Sequence, residues 1–375
     1  MAGLYIHIPF CKSACHYCDF HFSTSLQNKG NLIKALCKEL ELQKNYLNNE
    51  PLSSIYFGGG TPSILETKEI AQIFDVIAKN YNIVANAEVT LEANPDDLNI
   101  EKLKQLKVNG INRLSIGIQS FDDAFLKWMN RAHNSEMAIS SVKDAQHLGF
   151  DNISIDLIYG LPHLTQEHWE KTMEMAFDLK IQHLSCYCLT LEPRTYLAHL
   201  QKKGLLTSVD EVAIEQQFEQ LRAMSTKMGF EHYEISNFSL PGMASMHNSN
   251  YWLKESYLGI GPSAHSYNGV SRQWNVRNNP QYIHSIELGN VPFEMEILGP
   301  KENYNEYILT SLRTKWGCDL NKVKSIGMGF YIHCLEAAEV HIKSQLLERN
   351  EMNLKITAKG LLLADGLASD LFWVD

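Results

Sequence analysis

Six short apolar runs, each followed by a stretch of helical patterning, constrain this chain more than any other feature. They are Leu4–Ile8, Ser54–Phe57, Ala87–Glu92, Arg113–Gly117, Asn152–Asp156 and His183–Tyr187. Amphipathic segments such as Asn99–Leu106 and Glu136–Leu148 lie between them. Strands alternating with helices predict an α/β fold with a parallel sheet, closed or partly closed into a (β/α)6 TIM-type barrel. Ligands of such barrels bind at the C-terminal ends of the strands. Cys11–Cys18, Gly58–Thr61, Glu92, Gln119 and Asp156 all fall at those ends. Glycines and polar residues at equivalent positions of five strands point to one shared site.

The first strand end carries Cys11, Cys15 and Cys18 in the spacing Cys-x3-Cys-x2-Cys. Thiolates are soft ligands suited to zinc or iron–sulfur clusters. A structural zinc site wants four protein ligands, and the fourth here would have to be His16 or a distant residue. Three thiolates on a [4Fe–4S] cube instead leave one iron open. At the second strand end, Gly58-Gly59-Gly60 lets backbone approach a ligand closely and Thr61 offers a hydroxyl, although a plain tight turn would use the same residues. The other cysteines, Cys37, Cys186, Cys188, Cys318 and Cys334, are scattered, as expected of reduced thiols in a cytoplasmic chain. The N-terminus reads as a strand rather than a signal peptide. No apolar run reaches the roughly 20 residues that span a bilayer. With 33 Lys+Arg against 43 Asp+Glu the net charge is −10. That balance argues against a nucleic-acid partner, whose affinity comes largely from neutralised phosphates.

Beyond the sixth run, Pro193–Leu240 reads as mostly helical, and Glu211–Met228 has the apolar spacing of a packing helix. Glu231–Phe238 reads as one more strand and turn, and Pro292–Pro300 as a linker. Glu302–Asp375 has helical segments around Tyr304–Lys315 and Val340–Leu347, then Leu354–Thr357 and a last helix from Lys359. It fits a small helical or winged-helix-like unit that packs as a lid. The expected division is a barrel over 1–235, a connecting segment over 236–295 and a C-terminal domain over 296–375.

The cysteine loop behind a strand resembles the radical S-adenosylmethionine (SAM) superfamily. In that superfamily the open iron chelates the amino and carboxylate groups of SAM, and an electron from the cluster splits the sulfonium to give a 5′-deoxyadenosyl radical. The wider match is Tyr5-Ile-His-Ile-Pro-Phe-Cys11, Phe57-Gly-Gly-Gly-Thr-Pro62, Leu91-Glu-Ala-Asn-Pro95, Arg113–Phe121, Asp156–Pro162, Tyr233–Phe238 and Gly259–His265. These segments resemble the oxygen-independent coproporphyrinogen III oxidase family over almost the whole chain. Two features pull the chain toward the related haem-chaperone branch. The oxidase motif continues Cys-x-Cys after the third ligand, where this chain has Cys18-Asp19-Phe20, and the oxidase carries an N-terminal extension ahead of the loop. In addition, His247-Asn-Ser-Asn-Tyr-Trp252 matches the HNxxYW motif associated with haem binding in that branch.

By this resemblance Cys11, Cys15 and Cys18 ligate a [4Fe–4S] cluster. Tyr5, Tyr17, Gly59, Gly60, Thr61, Glu92, Gln119, Arg131 and Asp156 line the SAM pocket, and His247, Asn248, Tyr251 and Trp252 bind haem. An imidazole can ligate haem iron, and the two aromatics can pack on the porphyrin face. Two departures stand out. Ser245-Met246 precede His247 where relatives often carry a cysteine, and His163-Leu-Thr follows Pro162 where they carry Gly-Gln-Thr. The implied function is a haem chaperone that delivers haem to a respiratory haem protein, without coproporphyrinogen oxidase activity. Peripheral membrane contact and a homodimer are compatible with it. The alternatives are the oxidase itself, which decarboxylates two propionates of coproporphyrinogen III, or another radical SAM transformation.

Overall fold

Parallel strands covered on both faces are near-continuous apolar runs, and the first six strands are of this kind. They are β1 (Ala2–Ile8), β2 (Leu52–Gly59), β3 (Ile83–Ala93), β4 (Arg113–Gln119), β5 (Ile153–Tyr159) and β6 (His183–Cys188) in the computed structural model, which describes residues 1–206 and 210–374. Each pairs in parallel with the next. β7 (Glu231–Glu234) and β8 (Asn237–Ser239) then turn back antiparallel beyond β6. β9 (Tyr257–Ile260) returns to the other side and pairs in parallel with β1. β10 (His265–Tyr267), β11 (Ser271–Asn275) and β12 (Phe293–Ile297) extend that side as an antiparallel ribbon. One sheet therefore runs β12-β11-β10-β9-β1-β2-β3-β4-β5-β6-β8-β7, a partial barrel with β1 near its middle.

α1 (Lys29–Leu42), α2 (Thr67–Asn80), α3 (Ile100–Val108), α4 (Asp123–Trp128), α5 (Ser135–His147) and α6 (Gln166–Asp178) connect these strands and bury their apolar sides in the same core. Side-chain caps set the starts of several of them. Asn99 accepts from the Lys102 N–H at 2.8 Å, Asn134 from Met137 at 2.9 Å and Thr165 from His168 at 3.2 Å. α7 (Tyr196–Lys202), α8 (Glu211–Lys227), α9 (Met246–Trp252) and α10 (Asn279–Glu287) follow. A second apolar core forms between Tyr304 and Leu371. It joins α11 (Pro300–Leu312), α12 (Leu320–Ile326), α13 (Met328–Lys343) and α14 (Ala364–Asp370) to a small sheet of β13 (Cys318–Asp319), β14 (Leu347–Asn350) and β15 (Asn353–Ile356). Backbone bonds tie this unit to β7: Ile235 N–H donates to the Arg313 carbonyl at 3.1 Å, and Lys315 N–H to that of Tyr233 at 2.9 Å. Among the described residues no helix is long and apolar enough to cross a membrane.

Three expectations need revision. Pro292–Pro300 is not a linker, because Phe293, Met295 and Ile297 alternate with Glu294 and Glu296 and the run pairs with β11 as an edge strand. Pro300 lies outside that strand, at the start of α11, where proline is favoured. The segment 236–295 is more than a connection, because it adds β8 to β11 and the start of β12 to the barrel sheet. The final helix starts at Ala364, after a 3-10 turn over Ala358–Leu363.

One buried carboxylate locks the β9 side to the helices. Glu39 on α1 is fully buried and accepts from Gly261 N–H at 2.8 Å, Asn275 Nδ2 at 2.7 Å and Tyr282 Oη at 2.5 Å. Burial pushes its carboxyl up to about 7, against the pull of these donors. The folded state thus holds this proton more tightly than the unfolded chain, where a glutamate titrates near about 4.3. The contribution is complete below that unfolded value and is lost as pH rises through about 7. The melting temperature should therefore fall between about pH 5 and about pH 8, and the Glu39→Gln variant should melt lower but with a flatter profile. An equally steep profile in the variant would refute the assignment.

Candidate functional site

Pro9 ends β1, and the chain leaves the sheet as a loop clasped at its base. Cys11 N–H donates to the Ser23 carbonyl at 3.0 Å, and Ser23 N–H to that of Pro9 at 2.9 Å. The loop is tied down along its length as well. Lys12 pairs with Asp96 at 2.7 Å and also with Asp97, just beyond β3. His16 Nδ1 lies 2.6 Å from the Trp128 carbonyl, and its ring packs at 4.4 Å on Tyr196. His16 is thereby committed to the framework and does not line the cavity that the three cysteines share.

That cavity, of about 560 Å³, opens at the strand ends and is lined by Cys11, Cys15, Tyr17, Cys18, Gly59, Gly60, Thr61, Glu92, Gln119, Arg131 and Asp156, among others. A chain of hydrogen bonds runs round its floor from one thiol to another. Thr61 Oγ1 donates to Cys11 Sγ at 3.5 Å and accepts from Asn94 Nδ2 at 3.4 Å. Asn94 Oδ1 accepts from Arg131 Nη2 at 2.7 Å, and Arg131 Nη1 donates to Cys15 Sγ at 3.4 Å. Arg131 also bonds the Gly117 carbonyl at 2.6 Å, while its Nε is buried without a partner among the described residues. Burial pushes the Cys11 thiol up to about 11 and raises Cys18 too, so both are protonated until a metal displaces the proton.

The carboxylates sit on neighbouring strands. Glu92 accepts from Gly59 N–H at 3.1 Å and from Tyr56 Oη at 2.8 Å, and burial first, then the Asp156 charge, lifts it to about 7. Asp156 is lifted by burial to about 6, with the Ser115 hydroxyl 3.4 Å away. Gln119 holds a positive φ of 69° where the β4–β5 register shifts, which turns the strand end toward the cavity. Beside it, a side chain on Gly117 would come within 2.9 Å of Gln119 Nε2.

A second cavity, of about 830 Å³, lies deeper along β1. Asp19, Phe20, Glu92 and Tyr187 line both cavities and form the wall between them. Here the structure places Tyr5, away from the first cavity. Strand periodicity explains the difference: Gly3, Tyr5 and His7 share one face of β1, upstream of its end. His247, Asn248, Tyr251 and Trp252 all line this second cavity. The Glu88 carboxylate caps α9, accepting from Met246 N–H at 3.0 Å and His247 N–H at 3.1 Å. Ser245, where relatives often carry a cysteine, caps the same turn by accepting from Asn248 N–H at 3.3 Å.

His247 Nδ1 lies 3.0 Å from the buried Ser54 hydroxyl, and its ring stacks on Tyr56 at 4.9 Å. A side chain on Gly3 would meet His247 Cε1 and Nδ1 at 3.3 Å, so glycine leaves the space this ring edge fills. The opposite edge, with Nε2, has no hydrogen-bond partner among the described residues. Burial lowers the imidazole to about 4, which keeps it neutral near neutral pH. Asn94, Ser54 and Gly3 were not singled out from the sequence. Asn94 stood within the strand-end run Glu92-Ala-Asn94-Pro95, whereas Ser54 and Gly3 carry no local signal and act only through a histidine far along the chain.

Comparison with known proteins follows the same line. Residues 5–176 match the family model described as the Radical SAM superfamily. A Bacillus subtilis protein named heme chaperone HemW is 38% identical over 323 residues, 84% of this chain and 84% of that one. The Lactococcus lactis protein of the same name is 34% identical over 97% of this chain and 95% of its own. The chain belongs to the HemW family. Membership in this radical SAM family implies a [4Fe–4S] cluster and SAM, and the soft thiols of Cys11, Cys15 and Cys18 on one cavity wall suit such a cluster by their donor chemistry. Outside the HemW family, Escherichia coli coproporphyrinogen III oxidase (HemN), a radical SAM enzyme, has the same fold. It superposes with a TM-score of 0.86 over 99% of this chain and 89% of that one, at 24% identity.

Gly60 gives a direct test of the HemW cluster loop. An added Cβ there would lie 2.6 Å from the Phe10 carbonyl oxygen and 3.0 Å from Cys11 Sγ, whereas nothing lies within 4 Å of one at Gly30. After anaerobic reconstitution Gly60→Ala should bind markedly less iron and sulfide per chain, and Gly30→Ala should match the wild type. Equal iron content in the two variants would sink the assignment.

Proposed function

We propose that this chain is a haem chaperone, holding a [4Fe–4S] cluster on Cys11, Cys15 and Cys18, SAM in the first cavity and haem in the second, and passing haem to a respiratory haem protein. The observation that carries the haem reading is His247. Its ring is neutral, tethered at Nδ1 by Ser54 and lodged beside Tyr56, with the Nε2 edge unpaired among the described residues on the wall of an 830 Å³ cavity. If Nδ1 carries the proton and gives it to Ser54, Nε2 keeps the lone pair that an iron ligand needs. Tyr251 and Trp252, packed edge to face at 5.2 Å, supply apolar surface for a porphyrin. Under this division residues 1–235 carry the cluster and SAM, 236–295 bring the haem motif, and 296–375 add Arg313 to the cavity wall, over the Trp252 ring at 5.3 Å.

When bound, the cluster supplies an open iron for the amino and carboxylate groups of SAM. The chain's own part is positional and electrostatic. Arg131 suits the SAM carboxylate through charge-assisted bonds. Glu92 and Asp156 suit its ribose hydroxyls and ammonium. Tyr17, Gly59, Gly60, Thr61 and Gln119 complete the lining. The position two residues past Cys18 is Phe20, largely exposed at the wall between the cavities, where the oxidase motif has a further cysteine.

Two outcomes are expected. The reconstituted wild type should bind haem and should not decarboxylate coproporphyrinogen III, and His247→Ala should lose haem affinity by about tenfold or shift the Soret band while keeping cluster and SAM. Measured decarboxylation would defeat the chaperone reading, and an unchanged titration in the variant would remove His247 from the haem site. The second outcome concerns pH. Both carboxylates must ionise to meet a cationic ligand, so SAM affinity should rise as pH passes upward through about 6 and about 7, and less so in Glu92→Gln. A flat calorimetric profile in the wild type would separate these groups from SAM.

A further inference from the structure

The second cavity has an arginine that the haem motif does not account for. Three arginines line it: Arg272, Arg277 and Arg313. Two are already neutralised by carboxylates. Arg272 pairs with Glu296 at 3.2 Å and Glu306 at 3.3 Å, and Arg313 pairs with Asp365. Arg277 has no carboxylate partner among the described residues. Among the described residues its only hydrogen bond runs from Nη2 to the Asp19 backbone carbonyl at 2.5 Å, and the Asp19 side chain is itself taken by Arg194 at 3.2 Å. Most of the guanidinium fork is left for a ligand.

The backbone beneath it is fixed. Val276 N–H donates to Pro292 at 2.8 Å, the Val276 carbonyl accepts from Ser263 at 3.1 Å, and Asn278 caps α10 through the Gln281 N–H at 2.9 Å. The Arg277 main chain is thus held at both neighbours, while its side chain is exposed at the cavity wall and anchored there by the bond to Asp19. Near it, the rings of His7 and His21 stack at 6.2 Å, and burial first, with the nearby Arg277 charge adding to it, keeps both below the usual histidine range. In a chain of net charge −10, an arginine on a cavity wall with no carboxylate partner among the described residues is a local attractor for acid groups.

Resting on the haem reading above, we propose that Arg277 is the acid-binding end of the second cavity, taking a propionate carboxylate of the porphyrin as a bidentate pair. The cavity then selects tetrapyrroles with free acid groups, and the ring and iron fall to the His247–Trp252 wall. Arginine matches a planar carboxylate in a way lysine does not.

The test compares iron protoporphyrin IX with its dimethyl ester, whose carboxylates are blocked, both titrated in one detergent into the anaerobically reconstituted full chain. The wild type should prefer the free acid. Arg277→Gln should weaken the acid about tenfold and leave the ester within about twofold, so that the preference disappears; Arg277→Lys should fall between. Arg349→Gln, at an exposed residue outside both cavities, serves as the control, and the melting temperature checks that each variant is folded. Equal weakening of acid and ester, or no weakening of the acid, would overturn the proposal while leaving haem binding intact. Failure of the wild type to bind either porphyrin would overturn the haem reading and this one together.

Discussion

The parallel pairing of β1 on both its edges organises the rest of the molecule. Gly3 to Ile6 bond β9 on one side and β2 on the other. A short strand flanked in this way has no freedom of register, and a slip by one residue would exchange its two faces. Its fixed face sends Gly3, Tyr5 and His7 to the second cavity, and its end delivers the cysteine loop to the first. Both candidate sites therefore descend from one strand, one along its length and the other at its tip.

How much of this was legible follows from the same geometry. A parallel barrel turns periodic sequence into convergent strand ends, so Gly59, Thr61, Glu92, Gln119 and Asp156 could be gathered from their order alone. Tyr5 belonged to the same recognised segment as Cys11, but a segment match does not say how far along a strand a side chain sits. The second cavity was less readable because its parts come from widely separated stretches: Ser54 from β2, His247 from α9, Arg277 from the turn before α10. The edge strand β12 was hidden for another reason. Its flanking prolines suggested a linker, although the alternation of Phe293, Met295 and Ile297 with two glutamates already had the period of a strand.

Buried charge is distributed unevenly. Glu39 sits among three donors and serves only to join α1 to the β9 side. Glu88 likewise spends its oxygens on the first turn of α9. Glu92 and Asp156 have fewer partners and line a cavity, as does Arg131, whose Nε is buried without a partner among the described residues.

The clasp of Cys11 and Pro9 on Ser23 has a consequence for assembly. Closing a loop has an entropic cost, which is met here while the chain folds rather than while it is loaded. Under the proposed cluster reading, the base of the loop is therefore set before iron arrives. In zinc fingers, by contrast, the metal itself drives folding. On the proposed reading, occupancy of the cluster site is separable from survival of the fold, and a chain stripped of iron would keep the scaffold on which the cluster is rebuilt.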